Sequence, residues 1–163
     1  MSRLFSILVV LILTSFAQSE VNIPSTCRVR NKPNGYCTYA SMEIIGRFYK
    51  DERLYGLVDH YSQWESRGAG TREVKSCLDH LGVEYKIYED TSLDWLKYQV
   101  DNGIPVIVGC HWGKGSQHAI IIVDLDNEWV KYIDSNDIHH NYWVDINWFK
   151  QNFTGWSIVI EKR

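Results

Sequence analysis

Three residues far apart in the chain, Cys37, His118 and Asp134, have the chemistry of a nucleophile, a base and an orienting acid. Cys37 follows a Pro-Asn-Gly turn signal and precedes a run with helical periodicity, so it is predicted to lie in the first turn of a helix. A thiol has an ordinary pKa of about 8.5 and is a good nucleophile only as the thiolate. The partial positive charge at a helix start favours the thiolate, and a neighbouring imidazole favours it further.

The segments around His118 and Asp134 predict how these two residues meet. His118 opens an apolar run that is typical of a buried strand, Asp126-Asn127 is a turn signal, and Asp134 ends the next apolar strand. Symmetric pairing about that turn places residue 118 opposite residue 135, within one position of Asp134, and a bulge would shift it by one. Asp134 is therefore the residue predicted to hold the imidazole in the required tautomer.

Two asparagines offer additional or alternative roles in such a site. Asn31 stands six residues before Cys37 across the turn, where its amide could join the backbone N–H of the nucleophile in an oxyanion hole. The other interpretation is that Asn31 belongs only to a polar turn. Asn136 is an alternative to Asp134 as the partner of the imidazole, but the hairpin register favours Asp134.

Two further residues near the apolar strands are candidates for a functional role. His111, directly after the strand that ends at Cys110, is a rival base, although its position suggests a loop or a rim. Trp112 leads into the glycine-rich segment 113–116 just before His118, and this aromatic loop is predicted to form a wall of a substrate cleft. An ordinary surface hairpin loop is the alternative interpretation for Trp112.

The elements that must position these residues form an α+β pattern, with helices first and an antiparallel sheet second. Apolar periodicity, capping residues and turn signals define each element. Helices are predicted at 37–50, 71–81, 92–102 and 145–152, and strands at 83–87, 105–110, 119–123, 129–133 and 156–160. The sequence therefore predicts helices packed on one side of an antiparallel sheet.

The cysteines and histidines bear on bridges and metals. Four cysteines outside the cytosol usually form two disulfides, and we expect one bridge to involve Cys27, whereas Cys77 lies on an apolar helix face as a small hydrophobe. A bridge at Cys37 would abolish its chemistry. The chain has no Cys-x-x-Cys pair and no histidine at zinc spacing from a cysteine, so neither a metal nor a cofactor is predicted.

The N-terminal segment and the overall charge indicate where the protein works. Residues 1–19 combine an early arginine, an apolar run and a small-residue end, which is typical of a secretory signal peptide; an uncleaved membrane anchor is the alternative. Residues 20–163 then form one domain, secreted or periplasmic, with no stable membrane insertion after cleavage. The net charge of −3, with interspersed acids and bases, argues against a nucleic-acid partner.

Four short segments, in this order, resemble the papain-like cysteine peptidase superfamily. They are Asn31, Gly35-Tyr36-Cys37-Thr38-Tyr39-Ala40-Ser41-Met42, Gln117-His118-Ala119-Ile120-Ile121-Ile122-Val123-Asp124 and Tyr132-Ile133-Asp134-Ser135-Asn136. The short sequence separation between Cys37 and His118, about eighty residues, resembles that of the double-glycine, bacteriocin-processing peptidases. These peptidases also carry a segment similar to the one that runs from Ser92-Leu93-Asp94-Trp95-Leu96-Lys97 to Gly103-Ile104-Pro105-Val106-Ile107-Val108.

The resemblance implies a papain-like fold and a set of roles. It makes Cys37 the nucleophile, His118 the general base and acid, Asp134 its orienter and Asn31 the oxyanion-hole residue. Two features depart from the family pattern: papain-like enzymes usually carry Gln where Asn31 stands, and the processing peptidases are commonly parts of exporters, whereas this chain carries its own signal.

The expected function is that of a secreted thiol protease that hydrolyses peptide bonds in a peptide or protein substrate through an acyl-enzyme. A transglutaminase-like acyltransferase would use the same Cys, His and Asp arrangement with an amine as acceptor. A catalytically lapsed papain-like module that binds a peptide is the third possibility, and it predicts an occluded Cys37 or an ordinary thiol pKa.

Overall fold

The computed structural model of the protein describes residues 20–32, 35–61, 68–113 and 115–162. The predicted signal peptide, residues 1–19, lies outside the described residues, as do two residues of the turn before Cys37 and Lys114 in the loop after Trp112. Among the helices that are described, none has both the length and the apolar character needed to cross a membrane.

Within the described residues the chain forms five α-helices, four of them where the sequence predicts helices and one in the polar segment between the first two predicted helices. Their bounds are α1 Cys37–Tyr49, α2 Leu57–Tyr61, α3 Thr71–Leu81, α4 Leu93–Asp101 and α5 Ile146–Asn152, with 3-10 turns at Ser25–Cys27 and Glu52–Leu54. Side chains of Ser92 and Asp145 cap α4 and α5 by accepting backbone N–H groups of the first turn. Gly82 ends α3 with φ 63°, a left-handed conformation that glycine adopts at little cost. Thr71 is the first residue of α3 rather than its cap.

In the part of the chain that the structure describes, six strands form one antiparallel sheet. Their bounds are β1 Tyr85–Tyr88, β2 Val106–Trp112, β3 Ser116–Leu125, β4 Trp129–Asp134, β5 Asp137–Asp145 and β6 Phe153–Ile160. The order across the sheet is β1-β6-β2-β3-β4-β5. The apolar runs of β2 and β3 lie at its centre, where nearly every side chain is buried. The predicted α+β class, with N-terminal helices on a mainly C-terminal sheet, is confirmed.

The strand β5 corrects one prediction, because the polar residues around His139 and His140 predict an exposed turn there. The turn is shorter: only Ser135 and Asn136 separate β4 from β5, and Asp134 pairs with Asp137. Polar residues in β5 hide its periodicity, because it is an edge strand with one neighbour in the sheet and its polar side chains remain exposed.

The helices cover the sheet through a core built from both. Helices α1 and α4 pack against β3 and β2, and α5 packs against β2, β4 and β5. Helix α1 also packs against the 3-10 turn Glu52–Leu54, in which Leu54 is fully buried. Gly46 makes this possible, because a Cβ there would lie 2.4 Å from the Cβ of Leu54.

No disulfide joins the four cysteines, all of which lie in the described residues, so the predicted bridge involving Cys27 is wrong. Cys77 lies buried on the apolar face of α3, and Cys110 is fully buried at the centre of the sheet on β2. Both fill the core as small hydrophobic side chains, whereas Cys27 is half-buried.

The segment before α1 is fixed along the sheet by long-range hydrogen bonds. The N–H of Val21 donates to the carbonyl of Val123 at 2.9 Å, and the N–H of Asn31 donates to the carbonyl of Ser135 at 2.7 Å. The guanidinium of Arg28 donates to the carbonyl of His140 at 3.0 Å. These contacts bring Asn31 to the turn between β4 and β5.

Candidate active site

Cys37 is the first residue of α1, as the sequence predicts. Its side chain is buried, and its Sγ accepts the backbone N–H of Ala119 at 3.4 Å. The N–H of Thr38, in the first turn of α1, also acts on the sulfur. The sulfur therefore lies where the unpaired N–H groups and the positive end of the helix favour a thiolate.

His118 lies near the start of β3, and its side chain is 9% exposed. Its Nε2 is 2.7 Å from Oδ1 of Asp134. The same ring interacts with the Cys37 thiol. Nδ1 is the nitrogen that remains for this interaction, because Nε2 faces the carboxylate. The structure thus brings the three residues predicted from the sequence into one contiguous group.

A β-bulge places Asp134 on the same face of the sheet as His118. The hairpin pairs Leu125 with Val130, but beyond the bulge between Ile122 and Asp124 it pairs Ile122 with Tyr132. Continuing this register sets His118 beside Asn136, so the predicted position opposite residue 135 is wrong by one. Because the side chains of a strand alternate between faces, a register opposite 135 would have turned Asp134 away from His118.

The electrostatics of the group favour an ion pair. Burial raises the pKa of the Cys37 thiol, but the hydrogen bond with His118, the N–H groups of Ala119 and Thr38, and the charge of His118 together bring it below its ordinary value. Burial lowers the pKa of His118, whereas its hydrogen bonds with Asp134 and Cys37, and their charges, raise it to about 9. Both shifts favour a thiolate beside an imidazolium.

Asn31 lies beside the turn between β4 and β5. Its Nδ2 donates to Oδ1 of Asn136 at 3.1 Å. Its own Oδ1 is buried and has no hydrogen-bond partner within the part of the chain that the structure describes. The oxyanion-hole role of Asn31 stays a prediction. The side chain of Asn136 is in direct contact with that of Asn31.

A cavity of about 500 Å³ opens beside Cys37 and His118. Small residues form much of its wall, and they come from the turn before α1, the segment before α3, and strands β2 and β3. The lining residues with no side chain or only a methyl group are Gly35, Gly68, Ala69, Gly70, Gly109 and Ala119. Such walls let an extended peptide backbone come close to the sulfur.

Two other predicted residues occupy different surroundings. Trp112 packs edge-to-face on the ring of His118, with centroids 5.5 Å apart, and against Trp148 of α5. It lies outside the lining of the cavity, and the substrate-binding role given to it stays a prediction. His111 is exposed on β2, paired with Gln117, and does not line the cavity either.

Several residues of the site escaped the sequence analysis. Thr154 and Trp156 of β6 line the cavity, and the indole N–H of Trp156 donates to Oγ1 of Thr71 at 2.9 Å. The N–H of Ala119 is a backbone donor, which no side-chain pattern reveals. A signal existed only for the segment before α3, where the run Gly68-Ala69-Gly70 marks a close approach; a Cβ on Gly35 would lie 3.1 Å from the nitrogen of Gly68.

An α+β domain in which a cysteine at a helix start meets a histidine and an acid on the sheet has the architecture of a papain-like cysteine peptidase. The family model of the peptidase C39 family matches residues 28–163. The chain belongs to the peptidase C39 family, and this makes it a cysteine peptidase. The resemblance drawn from the sequence is therefore confirmed. No curated protein matches the chain.

Solved structures with the same fold include double-glycine peptidase domains of transporters. The peptidase domain of Streptococcus ComA, a bifunctional ABC transporter of a quorum-sensing pathway, is 18% identical, with a TM-score of 0.67 over 83% of this chain and 97% of that one. A double glycine motif protease from an AMS/PCAT transporter, solved with its leader peptide, is 14% identical, with a TM-score of 0.61 over 90% of this chain and 96% of that one. At these identities the likeness concerns the fold.

Proposed function

We propose that this protein is a secreted, single-domain cysteine peptidase in which Cys37 is the nucleophile, His118 the general base and acid, Asp134 its orienter and Asn31 the oxyanion donor. The observation that carries the proposal is the contact of Cys37 with a buried imidazole whose Nε2 lies 2.7 Å from Asp134. A merely structural cysteine would be buried in apolar surroundings, as Cys110 is, and its pKa would be raised.

The geometry supports a two-step hydrolysis. The Cys37 thiolate attacks the peptide carbonyl carbon, and the oxygen takes the electron pair of the broken π bond. As the tetrahedral intermediate collapses, the C–N bond breaks and His118 gives its Nδ1 proton to the leaving amine, which leaves a thioester. His118 then takes a proton from water, the hydroxide attacks the thioester, and the C–S bond breaks to release a carboxylic acid and the thiolate. Asp134 stabilises the imidazolium throughout.

The substrate we infer is a peptide or protein bound in extended conformation. The cavity beside Cys37 has glycine and alanine in its walls, which let a peptide backbone come close to the sulfur. The similar AMS/PCAT protease was solved with a peptide bound, which supports a peptide as the ligand of this cavity.

Product analysis with a peptide substrate tests this proposal. The protein that begins at Glu20 is incubated with a peptide library that contains small residues, and the products are identified by mass spectrometry. We expect new carboxyl termini with the wild-type chain and with Cys27→Ala, which keeps the nucleophile, and none with Cys37→Ala. Hydrolysis that persists in a folded Cys37→Ala variant would overturn the proposal.

The same reactions with an added primary amine separate hydrolysis from transfer. Water as the acceptor gives free carboxylic acids at all amine concentrations. Amide products that replace the acids would favour the transglutaminase-like alternative, and binding of the peptide without any product would favour a lapsed module.

Secretion is the part of the proposal that rests on residues 1–19, which combine an early arginine with an uncharged apolar run. Expression of the full chain with its native N-terminus in a secreting host, followed by N-terminal analysis of the exported protein, checks it. We expect a mature chain that begins at Glu20. A cell-associated chain that keeps Met1 and partitions with membranes would show an uncleaved anchor instead.

A further inference from the structure

Asn136 touches three of the residues to which the proposed mechanism gives roles. Its backbone N–H donates to Oδ1 of Asp134 at 2.8 Å, the same oxygen that faces His118. Its side-chain Nδ2 lies 3.2 Å from Nε2 of His118, and its Oδ1 accepts from Nδ2 of Asn31 at 3.1 Å. One residue in a two-residue turn thus connects the base, its acid and the predicted oxyanion donor.

The contact between Asn136 and His118 has a chemical conflict in this orientation of the amide. Nδ1 of His118 serves Cys37, and Nε2 must carry a proton in order to donate to the Asp134 carboxylate. The NH₂ group of Asn136 would then face an N–H group, so that two donors would meet at 3.2 Å.

Rotating the side-chain amides of Asn136 and Asn31 by 180° removes the conflict and also accounts for the unpaired Oδ1 of Asn31. With the Asn136 amide reversed, its oxygen shares the Nε2 proton of His118 with Asp134, and its NH₂ group points at Asn31. Asn31 must then present its oxygen to Asn136. The NH₂ group of Asn31 then occupies the buried position of the unpaired Oδ1, where it has no acceptor among the described residues. An unpaired donor of this kind is what an oxyanion requires.

We infer that Asn136 is a positioning residue of this site: its side-chain oxygen holds the Nε2 edge of His118 together with Asp134, and its amide sets the orientation of Asn31. The inference rests on the proposed function. It adds a second acceptor for the imidazolium and couples the residue that stabilises the oxyanion to the one that moves the proton.

Other groups around His118 leave this role to Asn136. Cys110 lies directly opposite His118 in the ladder between β2 and β3, and burial raises its pKa to about 12, so it stays a neutral thiol. Tyr132 is two residues before Asp134, and burial together with the charge of Asp134 raises its pKa to about 12. Among the described residues, the charges that act on the imidazole are therefore those of Asp134 and Cys37.

The rate of alkylation of Cys37 by iodoacetamide as a function of pH tests the inference, because it reports the thiolate without turnover. Removing an acceptor from the imidazolium makes the ion pair harder to form. We expect Asn136→Ala to raise the midpoint of the alkylation curve by about half a unit to one unit, and to lower kcat/KM at neutral pH about tenfold, the worth of one hydrogen bond. Asn136→Asp, which places a carboxylate beside the imidazolium, should lower the midpoint below that of the wild type.

A matched control and the wild-type curve make the outcomes separable. Asn141→Ala removes an asparagine of the adjacent strand β5 that accepts from Arg28 instead of contacting His118, and it should leave the midpoint unchanged. A lower midpoint in Asn136→Ala would show that the amide donates toward His118 and would overturn the inference, as would unchanged midpoints in both Asn136 variants. If Asn136→Ala fails to fold, the near-isosteric Asn136→Asp decides alone. A wild-type alkylation midpoint at the ordinary thiol pKa would instead overturn the proposed function, because Cys37 would then not be activated.

Discussion

His118 and Asp134 face each other across 2.7 Å, with side chains only 9% and 10% exposed, because a β-bulge turns both to the same side of the sheet. Because both side chains are shielded from water, the carboxylate charge stabilises the imidazolium more strongly than it would at the surface. It also fixes which nitrogen of the imidazole remains for Cys37. The relation of these two residues therefore sets both the protonation state and the direction of the base.

Asp134→Asn should lower kcat/KM by about 10²- to 10⁴-fold while the fold is retained, because an amide holds the imidazole in the wrong tautomer and provides no charge for the imidazolium. Asp137→Asn is the matched control, since Asp137 lies three residues further on and contacts Tyr142 and His140 rather than His118. Peptide hydrolysis by the two variants, with circular dichroism to confirm folding, gives the comparison. Equal losses in both would show that Asp134 has no special role.

The sequence predicts much of this arrangement because strong local signals coincide. Helical periodicity after a turn signal places Cys37 at the start of α1, and an apolar run bounded by polar residues places His118 at the start of a strand. A hairpin turn between the strands brings Asp134 within one position of its observed place. These features depend on residues close together in the sequence, which is where pattern carries information.

The parts that pattern could not predict depend on single-residue offsets and distant contacts. The bulge between Ile122 and Asp124 shifts the register of the hairpin by one residue, and no residue type at this position predicts a bulge. The edge strand β5 is polar and therefore lacks alternation. The contacts of Asn136 with Asn31 and His118 join segments about a hundred residues and eighteen residues apart, so they become visible only once the turn and the N-terminal segment are in place.

Iodoacetamide at neutral pH should modify Cys37 before the other three cysteines. The pKa of Cys37 is lowered, chiefly because its bond with His118 and nearby N–H groups outweighs burial, whereas burial raises the pKa of Cys110 to about 12. Cys77 is buried in the core. Peptide mapping after brief labelling measures the order, with Cys27→Ala as a control that should not change it. Equal labelling of all four thiols would contradict an activated Cys37.

The pH dependence of turnover should show an upper limb near pH 9. His118 has its pKa raised to about 9, because its bonds with Asp134 and Cys37 outweigh burial, so the imidazolium that protonates the leaving amine is lost above that pH. We expect kcat/KM to fall about tenfold per pH unit beyond the limb. In Asp134→Asn the limb should move to lower pH, since a group that raises the pKa is gone. A limb that stays in place in this variant would show that another group controls it.

Asn31→Ala should lower kcat by about 10²- to 10³-fold with a small change in KM, because an oxyanion donor acts mainly in the transition state. Asn31→Gln keeps the amide and tests whether a longer side chain reaches the oxyanion better. Asn141→Ala serves as the control for loss of an asparagine amide outside the site. Equal kcat values for the wild type and Asn31→Ala would assign Asn31 to the polar turn alone.

Gly46→Ala should destabilise the fold although alanine is the better helix former. A Cβ at this position would lie 2.4 Å from the Cβ of the fully buried Leu54, and the strain of an overpacked core, about 1–3 kcal/mol, exceeds the helix propensity gained, about 1 kcal/mol. Leu54→Ala alone should cost about 2–5 kcal/mol through the cavity it leaves. In the double variant residue 54 keeps its Cβ but loses the Cδ1 and Cγ atoms that lie 3.1 and 3.3 Å from the added methyl group. The space they leave lets residue 54 move away from the new Cβ, so the free energy of unfolding should fall by less than the sum of the two single losses. Urea denaturation followed by circular dichroism measures all four chains, and additive losses would show that Gly46 and Leu54 do not share this contact.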